Sequence, residues 1–255
     1  MLREGVILAA GLGRRLRGIS WGKPKFIVEL EGYPLIVYPI AVLASIGIRR
    51  FTIVVPQGWS SSIREILEYC GVDYYVVENN AVERENGFSL ALVAEYVGDD
   101  VLALSMCDHL YVPEIPLSII RRFRYGDVEL VVGGDRAPLY INVDEATKIL
   151  TDKNCYITAI GKELKNFTYI DTGVYVITRS ILKIAQNLAK SKVKLKLSDV
   201  VEYVKSMGIS VAVADVTGSL WTEIDTENDY HEVVSGYRRV VLDEVLKVVG
   251  KVIAR

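Results

Sequence analysis

The residue types best able to do chemistry crowd into the first 25 positions. Val6-Ile7-Leu8-Ala9-Ala10-Gly11-Leu12-Gly13-Arg14-Arg15-Leu16 is followed by Gly22-Lys23-Pro24-Lys25. An apolar, β-branched run that stops at a glycine- and arginine-rich loop reads as a buried strand emptying into a ligand loop. Leu8, Ala9, Ala10, Gly11 and Gly13 are the candidate nucleotide-binding backbone, because small residues let a ligand approach closely and leave amides free for phosphate oxygens. Arg15 and Lys25 add fixed positive charge and are the candidate catalytic cations. That chemistry suits a triphosphate. Two commoner glycine loops are excluded: a dinucleotide fingerprint needs a third glycine where Leu16 stands, and a P-loop needs Lys-Ser/Thr where Ile19-Ser20 stands.

Two carboxylates complete the pattern. Asp108, in Met106-Cys107-Asp108-His109, follows an apolar run at Val101–Ser105, and Asp225, in Trp221-Thr222-Glu223-Ile224-Asp225-Thr226, closes a late one. Delivered by separate strand ends, they are expected to hold one Mg²⁺, which takes one or two carboxylates plus substrate phosphates. Glu223 is expected on the other face of its strand, and His109 beside the metal site. A phosphomonoester nucleophile needs no general base, since its second pKa is about 6. Transfer then rests on positioning and charge neutralisation. Within Glu85–Leu90, Asn86 and Ser89 offer directional hydrogen bonds and Gly87 permits close approach. This segment is read as contacting a nucleobase; a plain helix N-terminus capped by Asn86 is the other reading.

The elements that must position these groups alternate. Runs at 52–55, 73–77, 101–104 and 129–132 read as strands, with helical spacing at 63–69, 89–96 and 117–123 between them. That alternation predicts an open, mainly parallel sheet covered on both faces, with ligands beyond the carboxyl ends of its strands. Residues 133–161 read as a short β excursion roofing the site. Strands are expected at 170–177, 209–214 and 219–224. Helices are expected at 179–189, 197–207 and 226–234, the last capped by Asp225 or Thr226. The division expected is a catalytic domain over 1–235 and a basic amphipathic helix over 236–255, with Val241, Val245, Val249 and Ile253 on one stripe. Such a helix can pack on its own domain or lie on a membrane surface. The basic run Lys190–Lys196 reads as a solvated loop.

Bulk properties bound the rest. A chain of 255 residues, 51% hydrophobic, can bury a substantial core. Its net charge of −2 provides no global field for nucleic acid, which is not expected as a partner. Cys70, Cys107 and Cys155 are too few and too scattered for a disulfide framework or zinc site. No signal peptide is read before the first strand, so a cytoplasmic setting is expected. Gly32–Ile48 is uncharged but broken by Pro34 and Pro39, which favours a buried helix over a membrane span. Glutamine occurs only at Gln57 and Gln186, pointing to a high-temperature source.

The pattern Leu-Ala-Ala-Gly-x-Gly-x-Arg-Leu followed by Lys-Pro-Lys resembles the nucleotidyltransferases that make NDP-sugars and CDP-alcohols. Further segments sharpen the likeness: Asn86-Gly87-Phe88-Ser89-Leu90, Met106 to Tyr111, Glu145-Ala146-Thr147-Lys148, Ile160 to Leu164, Asp171-Thr172-Gly173 and Trp221 to Thr226. Together they resemble the archaeal and bacterial inositol-1-phosphate cytidylyltransferases. The resemblance implies a three-layer α/β/α, GT-A-like, Rossmann-like fold with a mixed, mainly parallel central sheet. It implies CTP and a small phosphorylated polyol, 1L-myo-inositol 1-phosphate, as substrates, in compatible-solute biosynthesis, with acceptor-side residues Lys148, Lys162 and Asp171. In many such relatives a membrane-embedded CDP-alcohol transferase is fused behind this domain. A partner or continuation of that kind beyond Arg255 stays open, as does placement at the inner face of the membrane. Phosphocholine or a sugar 1-phosphate is the alternative acceptor, with Tyr140, Tyr156 and Tyr169 available to enclose a quaternary ammonium. A catalytically silent nucleotide-binding regulatory subunit is the alternative of another class, against which Lys25, Asp108 and Asp225 argue together.

Overall fold

The computed structural model describes residues 2–68, 70–124 and 128–253; Tyr69, at the end of the expected 63–69 helix, and Arg255 lie outside them. In chain order the elements begin β1 (Glu4–Leu8), α1 (Arg17–Ser20), β2 (Glu29–Leu30), β3 (Tyr33–Pro34), α2 (Val37–Ser45), β4 (Arg50–Pro56), α3 (Ser60–Glu68) and β5 (Asp73–Asn79). They continue with α4 (Asn86–Leu92), β6 (Val101–Met106), β7 (His109–Tyr111), α5 (Glu114–Arg124), β8 (Leu130–Asp135), β9 (Lys148–Thr151) and β10 (Ile157–Gly161). The last are β11 (Tyr169–Thr178), α6 (Arg179–Ser191), α7 (Leu197–Ser206), β12 (Val211–Asp215), β13 (Trp221–Glu223), α8 (Glu227–Val234) and α9 (Arg239–Ile253).

Strands β5, β4, β1 and β6 pair in parallel, and β11 runs antiparallel between β6 and β8. Strand β12 continues the sheet in parallel beyond β8, and the β9–β10 hairpin joins the first residues of β11. The sheet is thus mixed and mainly parallel. Strand β1 shows why it needs two helical layers. Ile7 and Ala9 enter one apolar core with α2, α5 and α9, whereas Val6, Leu8 and Ala10 enter a second with α4, α6 and α7. Alternate residues face opposite sides of a strand, so both faces must be covered. The result is three layers, α/β/α.

Helix α2, from the uncharged stretch, is buried almost all round: Val37 to Ala44 are inaccessible to solvent. Among the described residues no helix is long and apolar enough to cross a membrane. Helix α9 buries Val241, Val245 and Val249 completely, in the core that holds α2. Its apolar stripe therefore faces the protein, and the membrane-surface reading loses the face it required. Thr226 caps α8, accepting from the Asp229 amide while the Asp229 carboxylate accepts from the Thr226 amide.

Two details matter for the site. Strands β7 and β13 form a separate antiparallel ribbon pairing His109 with Glu223 and Tyr111 with Trp221. Strand β11 changes register between Asp171 and Tyr175, where Gly173 takes a left-handed φ of 70°.

Candidate active site

Strands β1 and β6 end side by side, with Leu8 opposite Met106, so the glycine loop and Asp108 leave the sheet together. The loop folds back on the second half of its own motif. The Lys25 amide donates to the Gly11 carbonyl at 3.2 Å, and Gly13, at φ 60°, packs on the Lys25 backbone. The amide of Ala9 is taken by Val54. Among the described residues, those of Ala10, Gly11, Leu12 and Gly13 donate to no protein acceptor. Four backbone donors in sequence are what an oxyanion-binding loop must leave free. The Gly18 amide donates to Glu227 of α8 at 2.7 Å, tying the loop to the late part of the chain.

The β7–β13 ribbon brings the two aspartates together. The Ile224 amide donates to the Asp108 carbonyl at 3.0 Å, so Asp225 lands beside Asp108. Both carboxylates converge on the buried ammonium of Lys25, which lies 2.6 Å from Asp108 and also bonds Asp225. Burial opposes charge on Lys25, but the two carboxylates outweigh it and raise its pKa. Burial also disfavours the Asp108 carboxylate, yet Lys25 and His109 hold its pKa far below the usual range, and Lys25 lowers that of Asp225. Arg15 donates to Asp225 at 2.8 Å and to Glu145.

His109 Nδ1 lies 2.7 Å from Asp108, and Nε2 lies 3.5 Å from Glu223. Its ring stacks on Trp221, whose indole N–H donates to Asp135 at 2.8 Å. Burial would lower the His109 pKa, but Asp108 and Glu223 raise it to about 9. Burial pushes Glu223 up to about 7, against the pull of His109. A Cβ on Gly173 would come within 2.5 Å of the imidazole, so only glycine lets β11 pass the ring at this point. The expectation for Glu223 is corrected: it lines the same cavity as Asp225. Residues two apart on an extended chain share a face.

That cavity, about 720 Å³, runs from Asp108 and Asp225 past Glu145, Lys162 and Asp171 to Lys196. A second, of about 570 Å³, lies at the other ends of the strands around Leu2, Asp99 and Phe123 and shares no residue with it. Asp171 accepts from the Gly173 amide at 2.8 Å and from the Tyr175 hydroxyl, and burial raises its pKa. Lys162 is exposed at the cavity wall.

Three assigned residues do other work. Lys148 is buried and donates to the carbonyls of Lys162 at 2.9 Å and Asp144 at 3.1 Å, so it braces the wall behind Lys162. Ser89 is buried, and its hydroxyl accepts from Asn79 at 2.9 Å, away from the cavity. Gly87 gives close approach to the chain itself, because a Cβ there would sit 2.5 Å from the Lys196 carbonyl oxygen. Asn86 does line the cavity, yet its Oδ1 accepts from the Leu197 amide at 2.8 Å. Glu145, at the head of the Glu-Ala-Thr-Lys segment, is a site residue that its local sequence does not mark: it holds Arg15 and lines the cavity.

The donor set fits a hard divalent cation. Two carboxylates already converge on one positively charged atom, and all their donor atoms are oxygen. Among the described residues no three His, Cys, Asp or Glu side chains form a metal cage on their own. A magnesium ion drawing its remaining ligands from substrate phosphates does not require one. All three cysteines are free thiols.

The family model for the MobA-like NTP transferase domain matches residues 5–152. A bifunctional IPC transferase and DIPP synthase of Aquifex aeolicus is 30% identical over 98% of this chain and 54% of its own. One of Thermococcus kodakarensis is 32% identical over 96% of this chain and 52% of its own. The chain therefore spans about half the length of these curated relatives. A choline-phosphate cytidylyltransferase of Streptococcus pneumoniae is 27% identical over 96% of this chain and 98% of its own. The structure of the inositol-1-phosphate CTP transferase from T. maritima superposes with a TM-score of 0.87 at 30% identity, covering 96% of each chain.

Proposed function

The chain belongs to the MobA-like NTP transferase domain family, and from that premise we propose that it transfers CMP from CTP to 1L-myo-inositol 1-phosphate. An oxygen of the acceptor phosphate attacks the α-phosphorus of CTP. As that O–P bond forms, the bond from the α-phosphorus to the bridging oxygen breaks, releasing pyrophosphate and leaving CDP-inositol. The amides of Ala10, Gly11, Leu12 and Gly13 receive the triphosphate, and Arg15 and Lys25 offset its charge. Asp108 and Asp225 would hold Mg²⁺, which when bound neutralises charge on the reacting phosphates. His109 orients Asp108 through Nδ1. No proton need be removed by the protein, because the acceptor phosphate is largely dianionic near neutral pH.

The observation that carries this reading is the cavity continuous with the paired aspartates. Lys162 and Lys196 would seat the acceptor phosphate there, while Asp171, Glu163 and Glu145 would accept from its hydroxyl groups. Tyr140, Tyr156 and Tyr169 are absent from its described lining. Tyr169 instead bonds Arg136, and Tyr175, which does line the cavity, bonds Asp171. The lining thus lacks the aromatic cage that would enclose a trimethylammonium. The test is pyrophosphate release from each of the four NTPs against inositol 1-phosphate, phosphocholine and glucose 1-phosphate in Mg²⁺. CTP with inositol 1-phosphate is expected to be fastest. A faster reaction with phosphocholine reassigns the acceptor, and equal rates with UTP remove the cytidylyl assignment.

A further inference from the structure

The main sheet has three outer strands, and two of them are closed by the chain itself. Ile160 of β10 donates its amide to the Glu202 carboxylate at 2.7 Å. Beyond β12, the Cys155 carbonyl accepts from the Val213 amide at 2.9 Å, and Tyr156 bridges to Ala212. Strand β5 is paired with β4 alone. We propose that a second copy of this chain docks on the open edge of β5, antiparallel about a two-fold axis at Val76.

Register decides which groups β5 offers. The Asp73 amide donates to the Arg49 carbonyl and the Asn79 carbonyl accepts from the Gln57 amide, both at 3.0 Å. Inward-bonding residues alternate along a parallel ladder, so residues 73, 75, 77 and 79 bond β4. The amides and carbonyls of Tyr74, Val76 and Glu78 point outward, and among the described residues none of them has a partner. Sheet edges are commonly blunted by lysine, proline or a bulge. Asp73-Tyr74-Tyr75-Val76-Val77-Glu78-Asn79 contains neither lysine nor proline, and its pairing with β4 runs unbroken.

The edge is complementary to itself. With Val76 opposite its own copy, Tyr74 falls opposite the partner's Glu78, and every outward amide meets an outward carbonyl. On the face that packs on α4, Tyr75, 55% exposed, comes against the partner's Val77, an aromatic–β-branched pair. On the α3 face, Arg64 covers the Tyr74 ring at 5.9 Å and has no acidic partner among the described residues. Glu78 accepts from the Gly58 amide at 3.2 Å and the Ser60 hydroxyl at 2.6 Å through Oε1, leaving Oε2 open. Tyr74 and the partner's Glu78 are cross-strand neighbours on this face, so pairing sets Arg64 beside that carboxylate, twice by symmetry. The same two-fold points the carboxyl ends of the two sets of parallel strands in opposite directions. The two catalytic cavities therefore open at opposite ends of one continuous sheet, and neither blocks the other.

Sedimentation velocity of the full chain across a concentration series tests this. The wild type is expected to sediment as a dimer, at twice the chain mass of 28.4 kDa. Val76→Pro removes the central outward amide without breaking a bond to β4, where an edge strand tolerates proline, and should leave a monomer. Arg64→Glu, at an exposed position, sets like charges together twice and should raise the dimer Kd at least about tenfold. Adding Glu78→Arg to that variant exchanges the two charges and should recover the dimer. A monomeric wild type overturns the proposal, as does a dimer whose Kd is unchanged by both Val76→Pro and Arg64→Glu. If Val76→Pro does not fold, the charge exchange decides: a double variant that dimerises no better than Arg64→Glu alone overturns the pairing.

Discussion

The two ends of the cavity hold charge in opposite ways. At the nucleotide end, Lys25 and His109 are buried and Arg15 is half exposed, and each is matched to a carboxylate inside the folded chain. At the acceptor end, Lys162 and Lys196 stand exposed on the cavity wall. Buried charges must be compensated by the protein itself, or folding would carry their desolvation cost unopposed. Exposed ones can wait for substrate. The nucleotide end therefore couples stability to catalysis, whereas the acceptor end can be altered with little cost to the fold.

The sharpest way to break this contrast is Lys25→Ala. Removing the buried ammonium leaves Asp108 and Asp225 facing each other, and loss of one partner from a buried pair costs about 3–5 kcal/mol. Thermal unfolding without metal should show that drop. Added Mg²⁺ should restore more stability in the variant than in the wild type, since it takes the place the ammonium left. Equal stabilisation of both proteins by Mg²⁺ would falsify the shared-position argument. Next in size is Asp108→Asn, expected to lower kcat at least about a hundredfold through loss of one anionic ligand. A variant keeping more than about a tenth of wild-type turnover removes Asp108 from the metal site.

A smaller effect concerns pH. The His109 pKa of about 9 lies above its ordinary value, so the stability it contributes is full below pH 6.5 and is lost as pH rises through 9. Glu223, raised to about 7, adds a decline at lower pH, because the folded chain again binds the extra proton. Denaturant unfolding of the metal-free protein should therefore show stability falling across this range, by on the order of 3 kcal/mol from His109. His109→Gln should flatten the portion between pH 6.5 and 9, and an unaltered slope in that variant would locate the titration elsewhere. The smallest effect belongs to Lys148→Met. Loss of its two bonds to carbonyls should cost about 1–3 kcal/mol of stability and raise acceptor KM less than Lys162→Ala does. The reverse order would return Lys148 to the substrate.

The nucleotide end was readable from sequence because local types carried its meaning. Small residues after a strand, two lysines around Pro24 and aspartates at strand ends needed no knowledge of tertiary contacts. The parallel core was readable for the same reason: β1, β4 and β6 carry continuous apolar runs. The acceptor end depended on contacts between residues from 14 to more than 100 positions apart. Nothing near Arg84 announces that its guanidinium caps carbonyls at 189–193, and nothing near Lys148 shows that it points at Lys162. Strand β7 is three residues long, too short for periodicity to reveal, yet it zips Asp108 to Asp225. The Glu223 error was one of register, and the ribbon of β7 and β13 exposes it.

Strand β11 pairs with β6, β8 and β9. It passes Gly173 under the His109 ring while presenting Asp171 to the cavity two residues earlier. A slip of one residue along this strand would drive a side chain into the imidazole and turn the Asp171 carboxylate away in the same move. Evolution therefore cannot retune the spacing of the two ends by sliding β11. The β10–β11 loop at 163–167 is free of that restriction. New acceptors are expected to arise by lengthening or trimming residues 163–167, with the reacting centre left as it stands.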